Sequence, residues 1–326
     1  MVHRVGVIRR VLANARGGFS VASAVVRNAF TFGRLIRQRN VSLVHSNTSV
    51  VLGGAAAATT ARVPHIWHVR EDYSRFGSLW PAYRRMLETA NALPCVSHAT
   101  AAQFPRRKRV LVIADGLAVQ PGRAPREQAR SALGLDPDVP VVAVLGRISD
   151  WKGQDVLVKA LAEPPLEERA AIGLIAGEAW PGSEDRLLPV LGLANRLGVS
   201  ERLRFLGFRD DLEAIYGAAD IVAVPSIRPD PLPGSAIEAA AAGCAVVASN
   251  HGGLPEIIRD GQTGRLIPPG DHRVLANVVA GLLDDPAERE RLGSAAARDV
   301  RARFSASRLL TEIQDLYDSV LARARG

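Results

Sequence analysis

Short apolar, β-branched runs recur along the whole chain, and most are separated by enough residues for one helix. The sequence predicts strands at 41–46 (VSLVHS), 65–69 (HIWHV), 92–97 (ALPCVS), 109–114 (RVLVIA), 141–147 (VVAVLGR), 172–177 (IGLIAG), 202–207 (RLRFLG), 221–226 (IVAVPS), 245–250 (AVVASN) and 264–269 (GRLIPP). Several of these are apolar throughout rather than alternating. Such strands are covered on both faces, which points to parallel sheets flanked by helices. The pattern breaks at 120–140 (QPGRAPREQARSALGLDPDVP), rich in Pro, Gly and Arg. With 326 residues the chain exceeds one typical core. The expected architecture is therefore α/β, with two doubly wound units in tandem and a cleft between them. The last segment, 304–324, reads as an amphipathic helix with Leu309, Leu310, Ile313, Leu316, Tyr317 and Val320 on one stripe.

Charge is unevenly spread. Residues 1–125 hold 18 Lys+Arg against 4 Asp+Glu, a balance of +14, and the remainder holds 23 against 29, a balance of −6. A positive field of this kind suits an anionic membrane surface, nucleic acid or a phosphorylated substrate. No nucleic-acid recognition module or interleaved aromatic pattern accompanies it, so nucleic acid is not expected as a partner. No apolar run is long enough to span a bilayer, and the N-terminus lacks a signal-peptide core. The two cysteines, Cys95 and Cys244, sit in apolar surroundings and read as buried free thiols, which suits a reducing cytoplasm.

Three stretches carry chemistry. In DPLPGSAIEAAAAG (230–243), Asp230 and Glu238 flank a Pro-x-Pro-Gly turn and an alanine helix. The strand before it places this loop where open α/β sheets bind ligands, beyond the carboxyl ends. Gly234 and Ser235 would open the helix, and their free N–H groups can cradle a diphosphate. Glu238, one turn in, could hold the vicinal hydroxyls of a ribose, and Asp230 those of a sugar. A capped, alanine-rich packing helix with an acid in its first turn fits the same pattern. In LGRISDWKGQDVLVKAL (145–161), Arg147 and Lys152 flank a strand-to-helix loop and could hold a diphosphate and stabilise its charge as it departs. A solvated pair of loop cations fits as well. In NHGGLPE (250–256), Gly252 and Gly253 form another close-approach loop, followed by Glu256. The Asp-x-Asp at 136–138 precedes its strand and reads as a turn rather than a metal site.

Together these motifs resemble the C-terminal domain of the retaining glycosyltransferases of family 4. The resemblance runs through strand–GR–KG–helix, then FLGF.DDLEAIYGAADIVAVPS, then an acid separated by seven residues from EA.A.G, then GG.PE and DG.TG.L.PPGD, over about 140–325. LVHSNTS and VPHIWHVRED resemble that family's N-terminal domain, and DGLAV (115–119) its entry to the interdomain linker. The resemblance implies a GT-B fold, two Rossmann-like domains facing across a cleft. It implies a shortened acceptor-side domain at 1–120, a nucleotide-sugar domain at 121–305, and a helix at 306–326 crossing back to the first domain. The shortening is expected because VHRVGVIRRVLANARGG resembles the middle of such a domain, without its opening strand and glycine-rich loop.

The resemblance further assigns Arg147 and Lys152 to the donor diphosphate and Glu238 to the nucleotide ribose. Asp230, usually glutamate in the family, falls to the donor sugar, Gly234 and Ser235 to backbone contacts, and His68 to a position near the reacting sugar. His45 reads as a satisfied strand-end histidine. The reaction it implies is retaining hexosyl transfer from a nucleotide sugar, a UDP-sugar first, to a glycan or lipid-linked acceptor in cell-surface glycan or glycolipid synthesis. No cofactor or metal is expected. The expected location is the cytoplasm, peripheral at the inner face of the plasma membrane. Two alternatives share the motifs: a non-catalytic nucleotide-sugar-binding remnant and a nucleotide-sugar epimerase of the same fold.

Overall fold

The structure, a computed structural model, describes residues 15–74, 76–105 and 109–325, with residues 15–21 described through their backbone alone. The expectation of an absent opening strand falls on residues 1–14, outside the described residues. The chain divides into two compact units. One runs up to Asp115 and resumes at Ser307, and the other is Gly116–Ala306.

In chain order the first unit contains α1 (Ala15–Gln38), β1 (Val44–Ser46), α2 (Gly53–Ala61), β2 (His65–Trp67), α3 (Trp80–Leu87), β3 (Leu93–Cys95), α4 (His98–Ala101) and β4 (Val110–Val112). The second contains α5 (Arg126–Ala132), β5 (Val141–Leu145), α6 (Gln154–Leu161), α7 (Pro164–Glu167), β6 (Ile172–Ala176), α8 (Leu187–Arg196), β7 (Leu203–Gly207), α9 (Leu212–Ala218), β8 (Ile221–Val224), α10 (Gly234–Ala241), β9 (Ala245–Ser249), α11 (Leu254–Ile257), β10 (Arg265–Ile267), α12 (His272–Asp284) and α13 (Pro286–Arg303). The last helix, α14 (Ala306–Arg325), lies almost wholly in the first unit. All ten predicted strands are present.

In the first unit β1 pairs with β2 and β3 with β4, both parallel, and single bridges at Ile66–Ala92 and Val69–Cys95 join the pairs. Successive strand residues face opposite ways. Trp67, Leu93 and Cys95 enter one core with Leu87 and Phe104. Ile66 and Ala92 enter another with Ile113 and with Leu316 and Val320 of α14. Both faces are apolar, which is why these strands read as continuous apolar runs. Leu309, Ile313 and Tyr317 pack against the second core as the stripe predicts. Leu310 does not: it is 69% exposed, because the turn of the helix carries it to the stripe's outer edge. Burial pushes the thiol of Cys95 up to about 12 and that of Cys244 up to about 11, so both are inert apolar groups.

The second unit is one parallel sheet of order β10-β9-β8-β5-β6-β7. Chain order runs outward from β5 in one direction and from β8 in the other, so the topology reverses between β5 and β8. In open α/β sheets the ligand crevice lies at such a reversal, beyond the carboxyl ends of the strands. The amino ends are locked by Asp220, a buried carboxylate. It accepts from the buried Arg130 at 2.9 Å, from Arg126 at 2.5 Å and from the Val141 N–H at 2.8 Å. The alanines of α10 are buried, letting the helix lie close to β8, β9 and α13. Asp136 accepts from the Asp138 N–H at 2.9 Å, so the Asp-x-Asp is a local turn.

Candidate functional site

At the switch point of the second unit lies a cavity of about 420 Å³. Its lining includes Arg147, Lys152, Ser235 and Glu238 together with Leu145, Ala176, Phe208 and Leu212. Four of the predicted residues, from segments up to 91 positions apart, therefore line one cavity.

Each is placed by the backbone around it. Arg147 follows β5, and its carbonyl accepts from Gln154 Nε2 at 3.0 Å, tying the loop to the start of α6. Lys152 is delivered by Gly153, whose φ is +81°; a Cβ there would lie 2.0 Å from the Pro225 carbonyl oxygen, so only glycine lets the two loops approach. The Ile227 N–H donates to the Trp151 carbonyl at 2.8 Å and holds them together. Across that seam Lys152 Nζ donates to Asp230 Oδ2 at 2.6 Å. The sequence puts Asp230 on the loop before α10, within reach of sugar hydroxyls; in the structure it is 5% exposed. The carboxylate is buried because the lysine neutralises it. Its backbone is gripped in turn by the Gly252–Gly253 loop. The Gly253 N–H donates to the Asp230 carbonyl at 2.8 Å, and a Cβ on Gly253 would stand 2.2 Å from the Pro231 oxygen. The close approach predicted for these glycines is thus to the protein's own backbone.

Gly234 opens α10 exposed, and Ser235 and Glu238 are half-buried. Tyr216, fully buried on α9, donates from its hydroxyl to Glu238 Oε2 at 3.4 Å. Burial first, and the Glu238 charge second, push the Tyr216 hydroxyl well above its ordinary range, so it stays a proton donor. Among the described residues no carboxylate pairs with Arg147, whose guanidinium carbon lies 3.9 Å above the Trp180 ring. Two cations and the free N–H groups of a helix start suit an anion, and a nearby carboxylate suits hydroxyls.

Tyr216, Glu178, Trp180 and Phe208 escape the sequence reading. Phe208 and Glu178 follow β7 and β6, so the carboxyl-end rule applied to Arg147 also reaches them. Tyr216 lies inside a quoted motif, with no pattern to single it out. Glu256 lies outside the cavity lining, on the short helix α11. Among the described residues no group of three or more His, Cys, Asp or Glu comes together as a metal site.

In the first unit His45 lies within β1 and His68 directly follows β2. Their rings stack at 5.5 Å, with 15° between the planes. His45 Nδ1 meets the Tyr317 hydroxyl at 2.7 Å, so it is partnered at one nitrogen, while its Nε2 and that of His68 are buried without a partner among the described residues. His65 Nε2 meets Ser46 Oγ at 2.9 Å. Burial, then the neighbouring His45, lowers both His65 and His68 to about 4; at His68 the Arg70 charge adds to this. Beside them Glu71 gathers Thr48, the Ser49 hydroxyl and the Arg70 N–H, joining the SNTS and VRED segments. Arg70 grips Asp115 through two bonds of 2.6 and 2.5 Å.

The model of the family described as glycosyl transferases group 1 matches residues 125–299. The chain belongs to the group 1 glycosyl transferases. It is 34% identical over 310 residues to the D-inositol 3-phosphate glycosyltransferase of Mycobacterium ulcerans, covering 92% of this chain and 64% of that protein. It is also 34% identical over 223 residues to the protein of that name from Corynebacterium glutamicum, covering 66% of this chain and 52% of that one. The chain thus spans about half to two thirds of the length of these curated relatives. Anabaena HepE, solved in complex with UDP-glucose, superposes with a TM-score of 0.80 at 27% identity, covering 88% of this chain and 82% of that one. Sucrose-phosphate synthase from Thermosynechococcus elongatus superposes at 0.80 and 26% identity, covering 92% and 79%. This group 1 glycosyl transferase has the GT-B fold, with two Rossmann-like α/β units in one chain. None of its described helices is long and apolar enough to cross a membrane.

Proposed function

We propose that the chain transfers a hexosyl group from a nucleoside diphosphate sugar, UDP-sugar first, to an acceptor hydroxyl with retention of anomeric configuration. The observation that carries this reading is the meeting of Arg147, Lys152, Ser235 and Glu238 on one cavity at the topological switch point. HepE, solved with UDP-glucose, supports the donor class. In this reading the diphosphate lies against Arg147, Lys152 and the Gly234–Ser235 end of α10, and the ribose hydroxyls on Glu238. The base lies beside Phe208 and Leu212. Asp230 faces the sugar.

In the transfer, the bond from the anomeric carbon to the diphosphate oxygen breaks and a bond to the acceptor oxygen forms on the same face. The acceptor proton passes to the departing diphosphate oxygen. Arg147, Lys152 and the N–H groups of α10 stabilise the charge that grows there, a preorganised arrangement that needs no added metal. The acceptor is a glycan or a lipid-linked glycan of the cell surface, met at the cytoplasmic face of the membrane. An inositol phosphate is the soluble acceptor to test beside it, on the strength of the inositol phosphate relatives.

The deciding experiment is a thermal-shift panel of UDP-, GDP-, ADP- and dTDP-sugars, followed by mass and anomer analysis of products with EDTA present. A stabilising donor and an acceptor-linked product of retained configuration are expected. Free nucleotide with an altered sugar and no acceptor product would identify an epimerase. Binding without any product would identify a carrier.

A further inference from the structure

Arg147 and Lys152 line the same cavity, yet they are held in different ways. Lys152 is fixed by a carboxylate, Asp230, at 2.6 Å. Arg147 has no carboxylate partner among the described residues, and its guanidinium carbon sits 3.9 Å from the centroid of the Trp180 ring. A carboxylate partner would neutralise the guanidinium and occupy its donors. An aromatic face attracts the cation through its quadrupole and leaves the in-plane N–H groups free.

The ring is placed deliberately. Trp180 lies on the loop after β6 and remains 59% exposed, a position that core packing does not explain. The loop is pinned at both ends. The Ile148 N–H, next to Arg147, donates to the Glu178 carbonyl at 3.0 Å, and the Ser183 N–H donates back to the Trp180 carbonyl at 2.8 Å. Beyond it Gly182 donates to Glu184 at 2.8 Å, and Arg186 pairs with Asp150 of the Arg147 loop at 3.0 Å. The Trp180 loop and the Arg147 loop are thus fastened together on both sides of the ring.

We propose that Trp180 is a positioning residue for Arg147, holding the guanidinium on the cavity wall with its donors free for a phosphate. This rests on the donor reading of Arg147 given above. A cation–π contact at an exposed site is worth roughly a two- to five-fold change in affinity.

The test uses the whole chain and whichever of UDP, GDP, ADP or dTDP it binds most tightly, with calorimetric Kd as the readout. Trp180→Leu should weaken binding roughly two- to five-fold, and Trp180→Phe should restore most of it. In an Arg147→Ala background, Trp180→Leu should add nothing. If Arg147→Ala binds as the parent does, or the parent binds none of the four, the donor reading fails and the positioning role falls with it. If Arg147→Ala is weak but Trp180→Leu binds like the parent, only the positioning role is overturned. An equal loss from Trp180→Leu in both backgrounds would mean that the ring touches the ligand itself, which also overturns it.

Discussion

Single side chains decide whether the cavity holds a nucleotide or only resembles one that does. Glu238 is half-buried on the cavity wall and keeps one oxygen near the Tyr216 hydroxyl. If it accepts from two ribose hydroxyls, Glu238→Ala removes charged hydrogen bonds worth about 1.5–3 kcal/mol each, so nucleotide Kd should rise at least ten-fold by calorimetry. Unchanged affinity would remove the ribose role. Tyr216→Phe should do less, because it deletes one long donor and leaves the carboxylate in place. The histidines of the first unit make a prediction of a different kind. His65 and His68 are lowered from 6.5 to about 4 in the folded state, chiefly by burial. Between about pH 6.5 and 4 the unfolded chain therefore binds more protons than the folded one, and stability falls as pH falls through that window. For one histidine the full difference is on the order of 3 kcal/mol. His65→Gln keeps a partner for Ser46 and does not titrate, so its urea midpoint should fall less than the parent's between pH 7 and 4.5. Parallel pH slopes for parent and variant would show that His65 is not a buried neutral imidazole.

The helix α10 and the loop before it show what an element contributes beyond its residues. Gly234 opens this helix, Gly253 packs from the loop after β9 against the loop before it, and their surroundings are opposite. A Cβ on Gly234 would meet only Glu238 Oε1, at an ordinary 3.5 Å, whereas one on Gly253 would collide with backbone at 2.2 Å. Gly234→Ala should leave the melting temperature unchanged or slightly higher, yet weaken diphosphate binding, because the protein does not need that space and the ligand does. Gly253→Ala should destabilise by about 1–3 kcal/mol, since the loop carrying Asp230 must shift. A Gly234→Ala variant with parental nucleotide affinity would argue against ligand approach at this helix end. Elements were the most legible level of this sequence. Continuous apolar runs such as VVAVL reveal strands buried on both faces, and the order of strands brought Arg147 and the α10 loop to one edge. The strands of the first unit proved shorter than their runs, as at Val44–Ser46, where Val41 and Ser42 are exposed and Leu43 packs against the core without pairing. Pairings across long separations were invisible. Lys152 with Asp230, 78 positions apart, and His45 with Tyr317, 272 apart, depend on how loops converge in space. Trp180 stayed hidden because an exposed loop aromatic carries no periodic signal.

At the scale of the whole molecule the outstanding feature is charge. The first acidic residue is Glu71, so the first seventy positions carry only neutral and basic side chains. Within them α1 exposes Val26 and Phe30, at 56% and 69%, with Arg27 and Arg34 exposed beside them. Their spacing puts the four on one stripe of the helix. An apolar stripe edged by arginines matches an anionic bilayer surface, with rings in the interface and guanidinium groups at the phosphates. Near such a surface each cation contributes about 1 kcal/mol, screened by salt. The chain should therefore co-sediment with vesicles of mixed neutral and anionic lipid at low salt, less with neutral vesicles, and progressively less as salt rises. Reversing two charges in Arg27→Glu/Arg34→Glu should lower partitioning more than ten-fold, since two attractions become two repulsions. Phe30→Ser should weaken binding to anionic vesicles with little change in its salt dependence, which separates insertion of the ring from the electrostatic part. Binding indifferent to anionic lipid, or unmoved by the double reversal, would mean that this face does not meet a membrane and that the acceptor is taken from solution.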